Sequence, residues 1–75
     1  MKHYAFFYHL RNNSYVEGVG DRSVLRLDGR NNLHNMKEDA RQWGIKHKYD
    51  GFRIVRGHLL NPFYLTAAVI PIKRT

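Results

Sequence analysis

Only one segment of the chain has the spacing of an amphipathic helix, and this limits how the rest can fold. Residues with apolar or aromatic side chains recur there at intervals of three and four: Met36, Ala40, Trp43 and His47. Asn35 is placed to cap the first turn, and Glu38, three residues later, completes a capping-box-like pair. Gly44 either lies where the helix passes close to a sheet or ends the helix at Trp43. We favour a helix over residues 36–48, because Lys46 and Lys48 suit a helix C-terminus.

The remaining segments alternate like strands and are separated by turn residues. The strand-like segments are HYAFFYHL (3–10), YVEGV (15–19), SVLRLDG (23–29), GFRIVRG (51–57) and FYLTAAVIPI (63–72). The turns are RNNS, GDR, DGRNN, YDG and NP. The pattern predicts an α+β fold: a small antiparallel sheet of three to five strands with one amphipathic helix packed on one face. Seventy-five residues leave room for one domain, 1–75.

The first strand offers aromatic rings to both faces of such a sheet. Tyr4, Phe6, Tyr8 and Leu10 line one face, and His3, Ala5, Phe7 and His9 line the other. A single helix covers only one face, so the second must meet a partner copy, a ligand or water. We expect Phe6 inside, since its face carries Leu10, and Phe7 on the uncovered face, since histidines flank it. The predicted core is Phe6, Val16, Leu25, Met36, Ala40, Trp43, Ile54, Leu65 and Val69.

Charge is the strongest global signal in the sequence. Thirteen Lys and Arg, eight of them arginine, stand against six Asp and Glu, which gives a net charge of +7. This excess implies a polyanionic partner: nucleic acid, an acidic protein surface or anionic lipid. The chain contains no cysteine, which fits a reducing compartment, and we expect a cytoplasmic location. We expect no signal peptide, and the longest apolar stretch is about half the length that spans a bilayer, so no membrane association is predicted.

The residues that enzymes and metal sites require are not arranged for either role. His3 and His9 share a strand face but lie roughly 20 Å apart, and no histidine pair has the short helical spacing of a zinc site. The adjacent acids Glu38 and Asp39 are explained by the helix start. EGVGD (17–21) carries two glycines without the lysine of a phosphate-binding loop. The sequence therefore predicts no enzyme, no metal and no cofactor, although a ribonuclease using one histidine, a lysine and an arginine is the open alternative.

Arginines interleaved with aromatic and core residues carry the functional prediction. Sheet modules that hold single-stranded nucleic acid combine stacking rings with positive charge. The predicted binding residues are Arg26, Lys46, Lys48, Arg53 and Arg56, together with Phe7 and Tyr8. The predicted partner is nucleic acid or a nucleoprotein complex, and a homodimer is a further option for the uncovered face. The alternative is a solvated face whose rings cover arginine stems. No octamer typical of RNA-recognition domains, no GXXG loop and no zinc finger is present.

The order of segments also resembles that of some very small phage-encoded proteins. YAFFYHL, the turns after it, and EDARQWGIKHKYDGFRIV resemble the strand, helix and returning strand of certain basic anti-CRISPR inhibitors. The resemblance covers about half the chain and rests on spacing, with no signature motif. It implies an anti-defence or host-takeover role, exercised by docking on an acidic surface of a host protein complex. It assigns no functional residue.

Overall fold

The computed structural model describes residues 2–27, 32–58, 61–64 and 68–73 and forms one α-helix and one antiparallel sheet from them. The elements in chain order are β1 (His3–Arg11), β2 (Ser14–Glu17), a 3-10 turn (Asp21–Ser23), β3 (Val24–Arg26), α1 (Leu33–Lys46), β4 (Gly51–His58), β5 (Asn61–Tyr64) and β6 (Ile70–Pro71). The predicted fold class is confirmed, with β6 as an added strand of two residues. Within the described ranges, no helix is long and apolar enough to cross a membrane.

The sheet has two long central strands, and each of its edges is shared by two short strands. The order is β2-β1-β4-β5, with β3 on β1 and β6 on β4. β2 pairs with one end of β1, from Tyr8 opposite Glu17 to Arg11 opposite Ser14. β3 pairs with the other end, where Tyr4 lies opposite Arg26. β1 and β4 thus carry the framework, and every other strand depends on them.

Asn12 and Asn13 close the β1–β2 hairpin in a two-residue loop. Their φ angles are 51° and 65°, in the left-handed region that asparagine tolerates better than most residues. Two consecutive left-handed residues form the type I′ turn, whose twist matches that of a hairpin. The turn predicted from RNNS is present and fixes the register of β2 on β1.

The helix begins and ends earlier than the sequence predicted. The Asn32 side chain, not that of Asn35, caps it by accepting a 2.8 Å hydrogen bond from the Asn35 N–H. Glu38 is consequently one turn too deep for a capping box, and its carboxylate accepts from Gln42 at 2.9 Å instead. At the other end the chain leaves the helix through Lys48, whose φ is 64°.

The helix packs close to the sheet because small residues line the contact. Ala40 and Gly44 of α1 are buried, and Ala5 of β1 is fully buried on the facing surface. A Cβ on Gly44 would overlap the Ile72 Cδ1 and lie 3.2 Å from the Phe7 Cε1. Gly44 therefore lies inside the helix at its approach to the sheet, which is the first of the two roles considered above.

Phe7, not Phe6, belongs to the core, which reverses the predicted orientation of β1. Phe7 is 1% exposed, whereas Phe6 is half-buried on the opposite face. The Phe7 ring lies 5.2 Å from the Tyr49 ring and 6.2 Å from the Phe52 ring. The flanking His9 does not mark a solvent face, because it stacks on Tyr49 with centroids 4.7 Å apart. The helix packs on this face, where Gly44 approaches the Phe7 ring.

The rest of the predicted core is partly right. Met36, Ala40 and Ile54 are buried, as predicted, and Leu25 and Trp43 are partly buried against the same cluster. Val16 is 46% exposed, because it lies on an edge strand that the helix does not reach. Val69 is half-buried, and Leu65 lies outside the described residues. The core members that the prediction omitted are Ala5, Phe7, Leu27, Tyr49, Phe52 and Ile72.

The end of the chain does not form the single strand predicted over residues 63–72. The NP pair lies inside β5, where Pro62 pairs with Gly57, rather than in a turn. Proline has no N–H to donate to a neighbouring strand. It is tolerated in β5 because this is the outermost strand of the described sheet, with no further strand beyond it to bond. Ala68 and Val69 are irregular, and β6 returns only at Ile70–Pro71. The predicted DGRNN turn lies almost wholly outside the described residues.

The orientation of β1 predicts opposite outcomes for two neighbouring phenylalanines. Phe7→Ala removes a fully buried ring, which costs about 3 to 5 kcal/mol. The whole free energy of unfolding of a domain of this size is about 4 to 11 kcal/mol. We expect thermal unfolding, followed by circular dichroism, to show a loss of about 15 °C or more, or an unfolded chain. Phe6→Ala is the matched control and should lower the melting temperature clearly less. Equal losses for the two variants would contradict the assigned register.

Candidate nucleic-acid interface

Three aromatic side chains form a row on the face of β1 that is turned away from the helix. Tyr4, Phe6 and Tyr8 alternate with the core residues Ala5 and Phe7, so they share the opposite face, about 7 Å apart along the strand. We call Tyr4, Phe6 and Tyr8 the ring row. A spacing of this size lets neighbouring rings accept separate planar groups where the rings are accessible.

Two of the predicted arginines flank the ring row from the neighbouring strands. Arg26 of β3 lies opposite Tyr4, and Arg53 of β4 lies opposite Phe6. The Arg53 guanidinium carbon is 5.7 Å from the centre of the Tyr8 ring, within the range of a cation–π contact. Residues directly opposite in an antiparallel pair share a face. Positive charge and aromatic rings therefore occupy one surface, although the sequence predicted Tyr8 with Phe6 on the covered face and the arginines on the uncovered one.

The exposure of this face changes along the strand. Tyr4 and Phe6 are half-buried, whereas Tyr8 is 5% exposed and Val55, on the same face of β4, is fully buried. At the Tyr8 end, Tyr15 and Val69 pack closely over Gly51. A Cβ added to Gly51 would lie only 2.9 Å from the Tyr15 Cε1. The accessible part of the ring row is therefore its Tyr4–Phe6 end.

A small pocket opens beside this accessible end. It has a volume of about 170 Å³ and lies where β2 ends and β3 begins. Its lining includes Phe6, Glu17 and Val24. The gap exists because the chain leaves β1 at Gly18, whose N–H donates to the Phe7 carbonyl at 2.9 Å, and rejoins it only at β3. The half-exposed Phe6 ring thus has a recess next to it.

The other predicted binding residues lie elsewhere. Phe7 is in the core and cannot contact a partner. Arg56 lies opposite His3, so it shares the face of Phe52 and Ile54 and is separated from Arg53. Lys46 is in the last turn of α1, and Lys48 is exposed just beyond it. The structure brings together only part of the predicted set, because residues three apart on a strand point to opposite faces.

Lys46 and the edge residue Arg26 both line a second concave surface, a groove between β3 and α1. Its volume is about 500 Å³, and its lining is Leu25, Arg26, Leu27, Asp39, Gln42, Trp43 and Lys46. Trp43 is only half-buried, rather than buried as predicted, since it forms a wall of this groove. Its indole N–H donates to the Arg22 carbonyl at 2.9 Å. The lining combines apolar residues with two bases, Arg26 and Lys46, and one acid, Asp39, which suits a segment with an apolar anchor and an acidic group near Lys46.

Next to Trp43, His47 is held in a surrounding that disfavours its protonated form. The two rings are 4.3 Å apart, and the His47 Nε2 is enclosed without a hydrogen-bond partner among the described residues. Burial, and then the positive charges of Arg22 and Lys46, hold the pKa of His47 below its ordinary value of 6.5. The folded protein therefore resists a protonation that the unfolded chain accepts.

This pKa shift predicts acid-sensitive stability. Below pH 6.5 the unfolded state binds more protons at His47 than the folded state, so the free energy of unfolding falls as the pH falls. We expect urea unfolding between pH 7.5 and pH 5 to show a shallower pH dependence for His47→Phe, which keeps a ring against Trp43 but cannot titrate. The other four histidines are present in both proteins, so the comparison isolates His47. Identical slopes would show that His47 is not shifted.

Within the described ranges, no group of three or more His, Asp or Glu side chains is placed to hold a metal ion. Comparison of the chain with models of protein families, with curated proteins and with solved structures gives no match in any of the three. The candidate site consequently rests on its own geometry. Sequence reasoning missed Tyr4 and Phe6 as site residues, although the small residues Ala5 and Gly44 were a signal for the face that the helix covers.

Proposed function

We propose that this protein is a small basic, non-enzymatic binding protein that contacts single-stranded nucleic acid, free or within a nucleoprotein complex. One observation supports this most directly: the strand register places the ring row between Arg26 and Arg53 on the helix-free face. Planar bases stack on aromatic rings and on guanidinium planes, while the same arginines neutralise phosphates.

The binding surface is the Tyr4–Phe6 end of the ring row. These two rings are half-buried, so each retains surface for a base while its backbone is fixed by the central strand. The recess between β2 and β3 lies beside Phe6 and gives a stacked base room at its edge. Arg53 contacts Tyr8 and thereby carries the positive potential along the row.

The net charge of +7 supports weak, sequence-independent binding to nucleic acid, to which contacts of the ring row add. Lys and Arg contacts to phosphates release counterions, so affinity falls steeply as salt rises. We expect fluorescence anisotropy with a labelled oligonucleotide at low salt to give micromolar or weaker affinity. Absence of binding at tens of micromolar protein would refute this function.

Phe6→Leu tests whether the ring row contributes to binding beyond the net positive charge of the chain. Phe6→Leu removes a stacking ring and leaves an apolar side chain. We expect at least about fivefold weaker binding to single strands, since stacking contributes about 1 to 3 kcal/mol per base. Duplex binding should change little, because paired bases cannot stack on the ring. Both affinities are measured by anisotropy at one salt concentration.

Arg26→Gln tests the arginine component, with Lys37→Gln as its matched control. Each change removes one positive charge from an exposed residue, and Lys37 lies on α1, away from the ring row. Arg26→Gln should weaken binding more than Lys37→Gln. Equal effects would mean that the protein binds through its net charge alone and would remove the ring row as the site.

A second candidate function is docking on an acidic surface of a host protein complex, as the resemblance to phage inhibitors implies. The groove between β3 and α1 favours it, because an apolar floor of Leu25, Leu27 and Trp43 lies beside Arg26 and Lys46. Capture from a bacterial lysate before and after nuclease distinguishes the two. Nucleic-acid binding predicts that nuclease abolishes capture. Docking predicts capture that survives nuclease, is lost in Lys46→Glu and is kept in Lys37→Glu.

A further inference from the structure

The edge formed by β2 collects most of the exposed apolar surface of the described residues. All four residues of β2 are exposed. Of the five large apolar residues that are exposed there, four lie within residues 10–19, and the exception is Leu33. Leu10 is 48% exposed, Tyr15 36%, Val16 46% and Val19 89%. Such a concentration beside a strand edge marks an interaction surface.

The hairpin geometry determines which backbone groups of β2 point outward. Arg11 and Ser14 close a two-residue loop, so they form a hydrogen-bonded pair and the next such pair is His9 with Val16. The N–H of the intervening Leu10 points the other way and donates to the Asp50 Oδ2 at 2.7 Å. By the same alternation, Tyr15 and Glu17 direct their N–H and C=O groups away from β1, toward the outer edge.

Apart from its short length and Glu17, this edge lacks the features that keep strands apart. β2 contains neither proline nor lysine, and Glu17 is its only charged residue. Residues 11–21 carry one arginine against two acids, whereas the whole chain carries thirteen bases against six acids. Copies of so basic a chain repel each other elsewhere. Here the local charge is only −1, so the repulsion between copies is weak and a second copy approaches most easily at this edge.

We propose that two copies of the chain associate by antiparallel pairing of their β2 strands about a two-fold axis at Val16. In this register Tyr15 of one copy pairs with the partner's Glu17, and the reciprocal pair forms across the axis. All the outward groups of Tyr15 and Glu17 are then satisfied by hydrogen bonds. The two Val16 side chains meet in the intervening non-hydrogen-bonded pair, where opposite Cα atoms are about 4.5 Å apart.

The pairing is independent of the nucleic-acid proposal and has its own consequence. Antiparallel addition about an axis perpendicular to the sheet keeps the two helices on one side and both ring rows on the other. The four-residue edge is short, so we expect a weak dimer that forms at high concentration. The helix-free surface of the dimer would be twice as long as that of one copy.

Disulfide trapping tests the register without nucleic acid, because the natural chain has no cysteine. Val16→Cys puts two thiols at the axis, within the separation that a disulfide bridges. Tyr15→Cys is the register control, since its two thiols belong to Cα atoms about 8 Å apart, too far to bridge. Val19→Cys, at the most exposed of the large apolar residues described, measures chance collision. We expect Val16→Cys to cross-link at least about tenfold faster than either control.

Sedimentation equilibrium of the unmodified chain provides a second readout. We expect the mean mass to rise with concentration and Val16→Lys to prevent the rise, while Val19→Lys leaves it intact. Three results would overturn the proposal: a monomer at about 1 mM, equal cross-linking at all three positions, or fastest cross-linking at Tyr15→Cys. A monomer would assign this edge to a strand from a different protein.

Discussion

The close contact of Gly44 with Phe7 and Ile72 is the constraint on which the rest of the structure depends. A Cβ at position 44 would overlap the Ile72 Cδ1 and crowd the Phe7 ring, so a side chain there would force these neighbours or the helix to shift. Without one, α1 descends onto Ala5 and Phe7, and nine residues close into one core. The part of the chain that the structure describes forms one α-helix, so the contact also decides which face of the sheet stays uncovered.

The helix covers one face of the sheet and thereby determines which side chains remain on the other face. Ala5 and Phe7 are buried in the core beneath the helix, so Tyr4, Phe6 and Tyr8, which alternate with them along β1, lie on the reverse face. Arg26 and Arg53 follow the ring row to that side because their strands are paired in a fixed register with β1. The same packing choice thus builds the core and, on the reverse of the same strands, the proposed binding surface.

Much of this arrangement could be predicted from the sequence, and the failures have identifiable causes. Period-three-and-four spacing located the helix, and alternation located β1 and β4, because backbone geometry alone sets those periods. The face of β1 could not be chosen from its own residues, since both faces carry rings and His9 was expected to be solvated, whereas it stacks on Tyr49. The choice depends on Ala5 and Gly44, which are 39 positions apart in the sequence.

The candidate site was predicted in part for the same reason. Arg26 and Arg53 were assigned to the correct face because each alternates with apolar neighbours, whereas Arg56 was grouped with Arg53 despite its opposite parity. The helix cap was misplaced because Asn32 and Asn35 both suit the position. The choice between the two asparagines depends on how Met36, Ala40 and Gly44 pack on the sheet. This packing is a tertiary contact, which the local sequence does not reveal.

The pairing of β1 with β4 has a consequence for the order in which the chain gains structure. The β1–β2 hairpin joins neighbours in sequence and can form within microseconds, but β4 begins 40 residues after β1 ends. Until that distant strand arrives, the Phe7 ring has neither Phe52 nor Tyr49 to cover it. Loop closure therefore limits the folding rate, and a chain still being synthesised carries its most aromatic strand uncovered, as a target for chaperones or for other nascent chains.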